Sequence, residues 1–282
     1  MLDTTGTLAV PGAALHYQVR GTGPLLLISQ SGEGDADRST DLVGRLTDSY
    51  TVVTYDRRGL SRSRLAAPGC GATPAEHADD VQRLLASLTD TPALMLGCSL
   101  GAVIGMHVAV RYPGRIRTLI AHEPVAPRLL PDGERAHHER ELAALQELYL
   151  REGLAAALPE IARTLGIDPA STDREPDLTP QPMNALRLAN FDHFIRHDFT
   201  AVLHDTLDTN ALKDTGTRIV PAVGRTTPHT VFDHRAAAAL AELLGREPRF
   251  LPGGHNGNTT HPRAYAAQLR EILGSEDRQG QR

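Results

Sequence analysis

The chain of 282 residues contains two cysteines, Cys70 and Cys98, and a single lysine, Lys213. Two cysteines make no disulfide framework, and Cys98 sits in a Gly-Cys-Ser turn that leaves little room for a bridge, so a reduced, cytoplasmic compartment is expected. Met1-Leu2-Asp3-Thr4-Thr5 lacks both the basic and the apolar region of a secretory signal. The formal net charge of -5 offers no broad basic surface for nucleic acid. Arg57, Arg58, Arg62 and Arg64 are expected to be solvated or paired with carboxylates. A third glycine in register is missing from Ser29-Gln30-Ser31-Gly32-Glu33-Gly34, and no helix opens there, which excludes a dinucleotide fingerprint. No cofactor is expected. From Thr91 to Val110 the chain has no Asp, Glu, Lys or Arg, a length that could cross a membrane. Its Gly-Cys-Ser-Leu-Gly interruption instead divides it into a buried strand and a buried helix.

What is present is organised around that interruption. The apolar run Ala93-Leu94-Met95-Leu96 leads into Gly97-Cys98-Ser99-Leu100-Gly101, and Val103, Ile104, Met106, Val108 and Ala109 continue as a helix up to Pro113-Gly114. This is the pattern of a nucleophile elbow, a tight strand-to-helix turn that holds the central hydroxyl in strained geometry. Ser99 is the candidate nucleophile. The helix N-terminus aims its free N–H groups at the space where an oxyanion would form. The N–H of Leu100 is expected to supply half of that hole and the N–H of Gly32 the other half.

The remaining elements alternate. Leu8–Val10 and Ala14–Val19 read as an edge hairpin, and Leu25–Ile28, Tyr50–Tyr55 and Ile116–Ala121 as strands buried in a parallel sheet. Helices are expected around residues 41–47 and 75–88. Alternation stops between about 127 and 214, where 134–151, 153–165 and 182–207 read as helices without an intervening strand. It resumes at Arg218–Gly224, followed by a helix at 233–244, a strand at 248–251 and a closing helix at 262–273, with a polar tail from Ser275. The expected architecture is a doubly wound α/β sheet, residues 1–126 and 215–282, with an inserted helical cap, 127–214.

A serine needs a base, and the base needs an acid to fix its tautomer. Of thirteen histidines, His255 in Leu251-Pro252-Gly253-Gly254-His255 follows the last strand and is flanked by small residues, so it is the candidate base. The loop after Gly224 reads Arg225-Thr226-Thr227-Pro228 and carries no carboxylate. Glu123, at the end of the neighbouring strand, is the candidate acid. Asp233 reads mainly as an N-cap for the helix it precedes. His193 and His197 share a helical face, but no third ligand accompanies them, so no metal site is expected and they read as solvated or substrate-facing. His137-His138 reads as a charge-rich helix start.

From the Asp56-Arg57-Arg58-Gly59-Leu60-Ser61 turn through the elbow to the His255 loop, the chain resembles the α/β-hydrolase family. Within it the chain is similar to zearalenone hydrolases, which open a lactone. The resemblance rests on Gly97-Cys98-Ser99, on His122-Glu123, on Val223–Pro228 with Phe232-Asp233, and on Leu251-Pro252-Gly253 with His255 and His261-Pro262. Those enzymes use the corresponding Glu as triad acid, and they place a cap tryptophan against their ligand, whereas this chain has no tryptophan. The resemblance implies an α/β-hydrolase fold and a cofactor-independent attack on a carboxylic ester or lactone, with a zearalenone-type macrolactone as its narrowest form. The same triad could serve C–C bond hydrolysis, thioester hydrolysis or acyl transfer, or the fold could persist as a non-catalytic ligand receptor. A small-molecule substrate is expected as the partner, with neither nucleic acid nor membrane. A homodimer is compatible with the sequence.

Overall fold

The computed structural model describes residues 2–274 except 68 and 70. Cys70 and the tail from Ser275 lie outside the described residues. The strands are β1 (Leu2–Val10), β2 (Ala13–Gly21), β3 (Leu25–Ser29), β4 (Thr51–Tyr55), β5 (Arg64–Leu65), β6 (Ala93–Cys98), β7 (Ile116–His122), β8 (Arg218–Gly224) and β9 (Arg249–Leu251). They form one sheet in the order β1-β2-β4-β3-β6-β7-β8-β9, with the short β5 paired to β2. The hairpin β1-β2 turns at Pro11-Gly12, pairs Val10 with Ala13, and joins the sheet antiparallel to β4. From β4 to β9 every pairing is parallel.

The near-continuous apolar strands are explained by layers on both faces of the sheet. The side chains of Met95 and Leu119 face helices α2 (Pro74–Leu88), α3 (Leu100–Arg111) and α8 (Phe232–Leu243), where Val81, Ile104 and Ala236 complete one core. Leu94, Leu96 and Ile120 face α1 (Thr40–Leu46) and α10 (Pro262–Gly274), packing on Leu42, Tyr265 and Leu269. Helix α2 begins with a reciprocal cap: Thr73 accepts from the Glu76 N–H while the Glu76 side chain accepts from the Thr73 N–H. The stretch 91–110 is β6 and α3, and among the described residues no helix is long and apolar enough to cross a membrane.

Between β7 and β8 the chain is helical: α4 (Asp132–Glu152), α5 (Leu154–Thr164), α6 (Ala185–His193) and α7 (Phe199–Leu203). The single helix expected over 182–207 is shorter and interrupted. It starts at Ala185 because Asn184 caps it, accepting from the Arg187 N–H. It widens into a π turn over Phe194–Asp198 before α7. That turn is pinned by a buried ion pair, Asp198 Oδ2 to Arg57 Nη2 at 2.9 Å, and so the helical segment is fastened to the loop after β4. Arg58 and Arg62 are likewise spent on Asp80 at 2.6 Å and Asp56 at 2.8 Å. A short helix α9 (Gly257–Thr260), which the sequence pattern does not reveal, follows the His255 loop.

Two glycines let β6 fold onto α3. A Cβ on Gly97 would come within 2.5 Å of the Gly101 carbonyl oxygen, and one on Gly101 would strike the Ser29 carbonyl oxygen at the end of β3. Both obstacles are backbone. Gly101→Ala is therefore expected to lower stability by about 2–3 kcal/mol, read as a reduced urea midpoint at unchanged slope. A midpoint within error of the parent would show that the elbow is not closely packed.

Candidate active site

Ser99 leaves β6 at φ 56° and ψ -117°, outside the conformations that a side chain adopts freely. The turn is held because the Ser99 N–H donates to the His122 carbonyl at 2.9 Å and the Ser99 carbonyl accepts the first helical N–H, from Ala102, at 3.0 Å. The parallel register pairs Cys98 with His122 and His122 with Ala222. The ends of β6, β7 and β8 thus lie side by side.

Glu123 is the residue just past β7, at φ 44°, a second left-handed non-glycine. Its N–H donates to the Ala222 carbonyl at 3.0 Å, and the Gly224 N–H donates to its Oε1 at 2.7 Å. Its other oxygen, Oε2, accepts from His255 Nδ1 at 2.9 Å. Since Nδ1 faces carboxylates, it must carry a proton. Nε2 of His255 is buried and has no hydrogen-bond partner among the described residues. Ser99 and His255 line one cavity of about 240 Å³, together with Ser31, Glu33, Arg38, Arg187 and a mainly apolar wall that includes Ile161, Phe191 and Phe194.

Asp233 is not an N-cap. Helix α8 starts at Phe232, with Val231 at the capping position and no side-chain cap, and Asp233 lies one residue inside. Its side chain is fully buried, and Oδ2 approaches His255 Nδ1 to 2.5 Å. The approach is off the N–H direction, which is spent on Glu123, so both Asp233 oxygens remain without a hydrogen bond. Two carboxylates therefore flank one imidazole nitrogen. Burial opposes a charged imidazole, but the close approach and charge of Asp233, with the bond to Glu123 and its charge, outweigh it and raise the His255 pKa to about 10. Burial also opposes ionisation of Glu123, yet the bond to His255, with the charges of His122 and His255, holds it at about 2. Asp233 goes the other way, lifted by burial and by Glu123 to about 6. The geometry thus separates the two acids: Glu123 is the ionised acceptor and Asp233 the weaker, crowded neighbour.

The groups beside this cluster are quiet. Burial lowers the His122 pKa to about 4, leaving it neutral, with Nδ1 3.0 Å from the Tyr265 hydroxyl. Burial pushes the Cys98 thiol up to about 12, so it is not a competing nucleophile.

Ser31, rather than Gly32, lines the cavity beside Ser99. The Phe194 ring occupies the space where a Gly32 side chain would stand. Arg57 donates to the carbonyl of Ser31 at 2.9 Å and to that of Gly32. In a trans peptide N–H and C=O point in opposite directions, so binding of the Ser31 carbonyl turns the Gly32 N–H away from Arg57. The sequence does not reveal that Arg57 binds this loop, because the ionic partner of Arg57, Asp198, lies 141 residues away. His193 and His197 do not line the Ser99 cavity. They pack together at 4.8 Å, His193 against Gly59 and His197 against Gly71, which replaces the substrate-facing reading by a packing one. His137 and His138 lie within α4, and His138 Nδ1 pairs with Glu141 at 3.0 Å.

Comparison with known proteins agrees with the topology. Residues 24–212 match the family model described as alpha/beta hydrolase fold. The chain is 36% identical over 280 residues, 98% of each chain, to an uncharacterized hydrolase, YraK, of Bacillus subtilis. Among solved structures it is similar to a thermophilic esterase from Thermogutta terrifontis, with TM-score 0.73, 20% identity and coverage of 98% of this chain and 99% of that one. It is also similar to a hydrolase from Pseudomonas aeruginosa, with TM-score 0.66, 22% identity and coverage of 96% and 98%. The sheet order, the strained turn between β6 and α3 and these matches converge on one statement: the chain is a member of the alpha/beta-hydrolase family.

Proposed function

We propose that the protein is a serine hydrolase that opens a small carboxylic ester or lactone through an acyl-enzyme. One observation carries the reading: Ser99, in a strained elbow, shares a cavity with an imidazole whose Nδ1–H is bound to Glu123 at 2.9 Å and whose Nε2 is unpaired. Ser99 Oγ adds to the carbonyl carbon while His255 Nε2 takes its proton. The N–H groups of Leu100 and of the Ser31-Gly32 turn hold the oxyanion. Collapse of the adduct expels the alcohol, which receives the proton from His255, and water activated by the same imidazole then releases the acid. Glu123 keeps the imidazole in one tautomer and offsets its charge. The helices of residues 127–214 act as a cap over this cavity.

The size of the cavity limits the substrate. At about 240 Å³ it lies below the ~300–1,000 Å³ of pockets that enclose drug-sized ligands. A small ester or lactone fits better than a macrolactone, and the zearalenone-type reading finds no support in this volume. The test is labelling with a fluorophosphonate, followed by initial rates on p-nitrophenyl esters, γ- and δ-lactones and thioesters. A stoichiometric adduct on Ser99 with turnover of oxygen esters or lactones is expected. Absence of an adduct would favour a ligand receptor, and thioester turnover far above oxygen-ester turnover would reassign the reaction.

A further inference from the structure

The wall of the catalytic cavity holds a charge imbalance that the triad does not use. Arg38, in the loop before α1, and Arg187, in α6, line it together with Glu33. Arg187 Nη2 pairs with Glu33 Oε1 at 2.9 Å, and Arg38 Nε lies 3.5 Å from the same oxygen. One carboxylate oxygen thus serves two guanidiniums. These side chains are largely enclosed, at 11% exposure for Arg38, 21% for Arg187 and 10% for Glu33. Nε of Arg38 and Nε of Arg187 are both buried without a hydrogen-bond partner.

Of the other nearby acids, neither Asp35 nor Asp37 lines this cavity, and only Asp37 is paired with another cation. Asp35 accepts from the Ser61 hydroxyl at 2.7 Å and from the Asp37 N–H at 3.0 Å. Asp37 takes the Gln18 amide at 2.7 Å and Arg62 at 2.9 Å. Burial, and then the charge of Arg187, hold Arg38 below its ordinary pKa against the pull of Glu33 and Asp35. Two enclosed cations sharing one carboxylate in a mainly apolar wall are costly. Arg187 Nη1 donates to the Gln181 carbonyl at 2.8 Å, and the planar fork of Arg38 beside it is suited to a carboxylate.

We propose that Arg38 and Arg187 form a subsite for a carboxylate on the substrate, remote from the scissile carbonyl. The substrate is then a half-ester of a dicarboxylic acid, or an ester or lactone with a free acid group. This inference rests on the hydrolase reading above for its catalytic form, but the anion site itself does not depend on turnover.

Two arms test it on the full chain. In the kinetic arm, mono-p-nitrophenyl glutarate is compared with p-nitrophenyl pentanoate, which shares the leaving group and lacks the charge. The glutarate half-ester is expected to have at least about a tenfold higher kcat/KM at low ionic strength, with the preference shrinking in 0.5 M NaCl as charge is screened. Arg38→Met and Arg187→Met should each reduce that ratio by about tenfold, and Arg38→Lys should restore part of it, since Lys keeps the charge and loses the fork. In the binding arm, glutarate is titrated calorimetrically into Ser99→Ala protein with and without Arg38→Met, and pentanamide is the neutral control. Saturable binding of glutarate alone, lost with Arg38→Met, is expected. A ratio near one for the parent, a ratio unchanged by both arginine variants, or no glutarate binding would overturn the subsite. If neither ester turns over and Ser99 is not labelled, the hydrolase reading has failed, and the glutarate titration still decides the anion site.

Discussion

Glu123→Gln is expected to lower kcat/KM for an activated ester by about 10⁴-fold, whereas Asp233→Asn is expected to retain most of the activity once the pH is matched to its base. The reason lies in which oxygen the imidazole N–H meets. Glu123 Oε2 receives it at 2.9 Å, and Oε1 is anchored by the Gly224 N–H at 2.7 Å. A glutamine amide can turn its NH₂ toward Nδ1 and favour the tautomer in which Nε2 is already protonated. Asp233 Oδ2 is nearer at 2.5 Å but off the N–H direction. Its role is through charge. Removing that charge destabilises the imidazolium, so the His255 pKa must fall from about 10, by about 1–3 units for an adjacent charge. The parent enzyme, whose base is free only when His255 is deprotonated, should gain kcat/KM as pH rises toward 10, and Asp233→Asn should move that limb to lower pH. Profiles of kcat/KM from pH 5 to 10 for parent and both variants check this. Greater loss in Asp233→Asn than in Glu123→Gln would transfer the acid role to Asp233.

The two acids also show where the sequence is readable. Glu123 can be found from the chain because its position follows from a strand end: an apolar run that stops at His122-Glu123-Pro124 must place a side chain on the same rim as Ser99. Asp233 is misread because a carboxylate near the start of a helix matches the local capping pattern, and only the packing of α8 on the sheet shows that it points inward. The parallel sheet, its buried strands and most helices are legible for the first kind of reason, since periodicity and glycine placement are local. The break at Phe194–Asp198 belongs to the second kind. It ends at Asp198, whose pair with Arg57 joins residues 141 apart and leaves no periodic trace. The sharing of Glu33 by Arg38 and Arg187 is equally invisible in the chain, because it joins a loop of the core to a helix more than a hundred residues away.

Ser99→Ala should abolish the p-nitrophenolate burst and reduce kcat on the order of 10⁶-fold, leaving the residual rate that an oxyanion site and binding alone can supply. The stronger statement concerns stability, because the elbow stores strain that the reaction needs and folding does not. A non-glycine residue held at φ 56° and ψ -117° costs about 1–3 kcal/mol, and Ala keeps that cost since it retains Cβ. Gly relieves it, at an entropic cost of about 0.5–1 kcal/mol in the unfolded chain. Ser99→Gly is therefore expected to unfold at a higher urea concentration than Ser99→Ala while being equally inactive. If instead the two variants are equally stable, or Ser99→Gly retains turnover, then the turn is not strained by its side chain or the nucleophile is another group. Coincidence of a strained backbone with the proposed nucleophile is what this pair of variants isolates: a fold that gains stability when position 99 loses its Cβ has kept a side chain there for its chemistry.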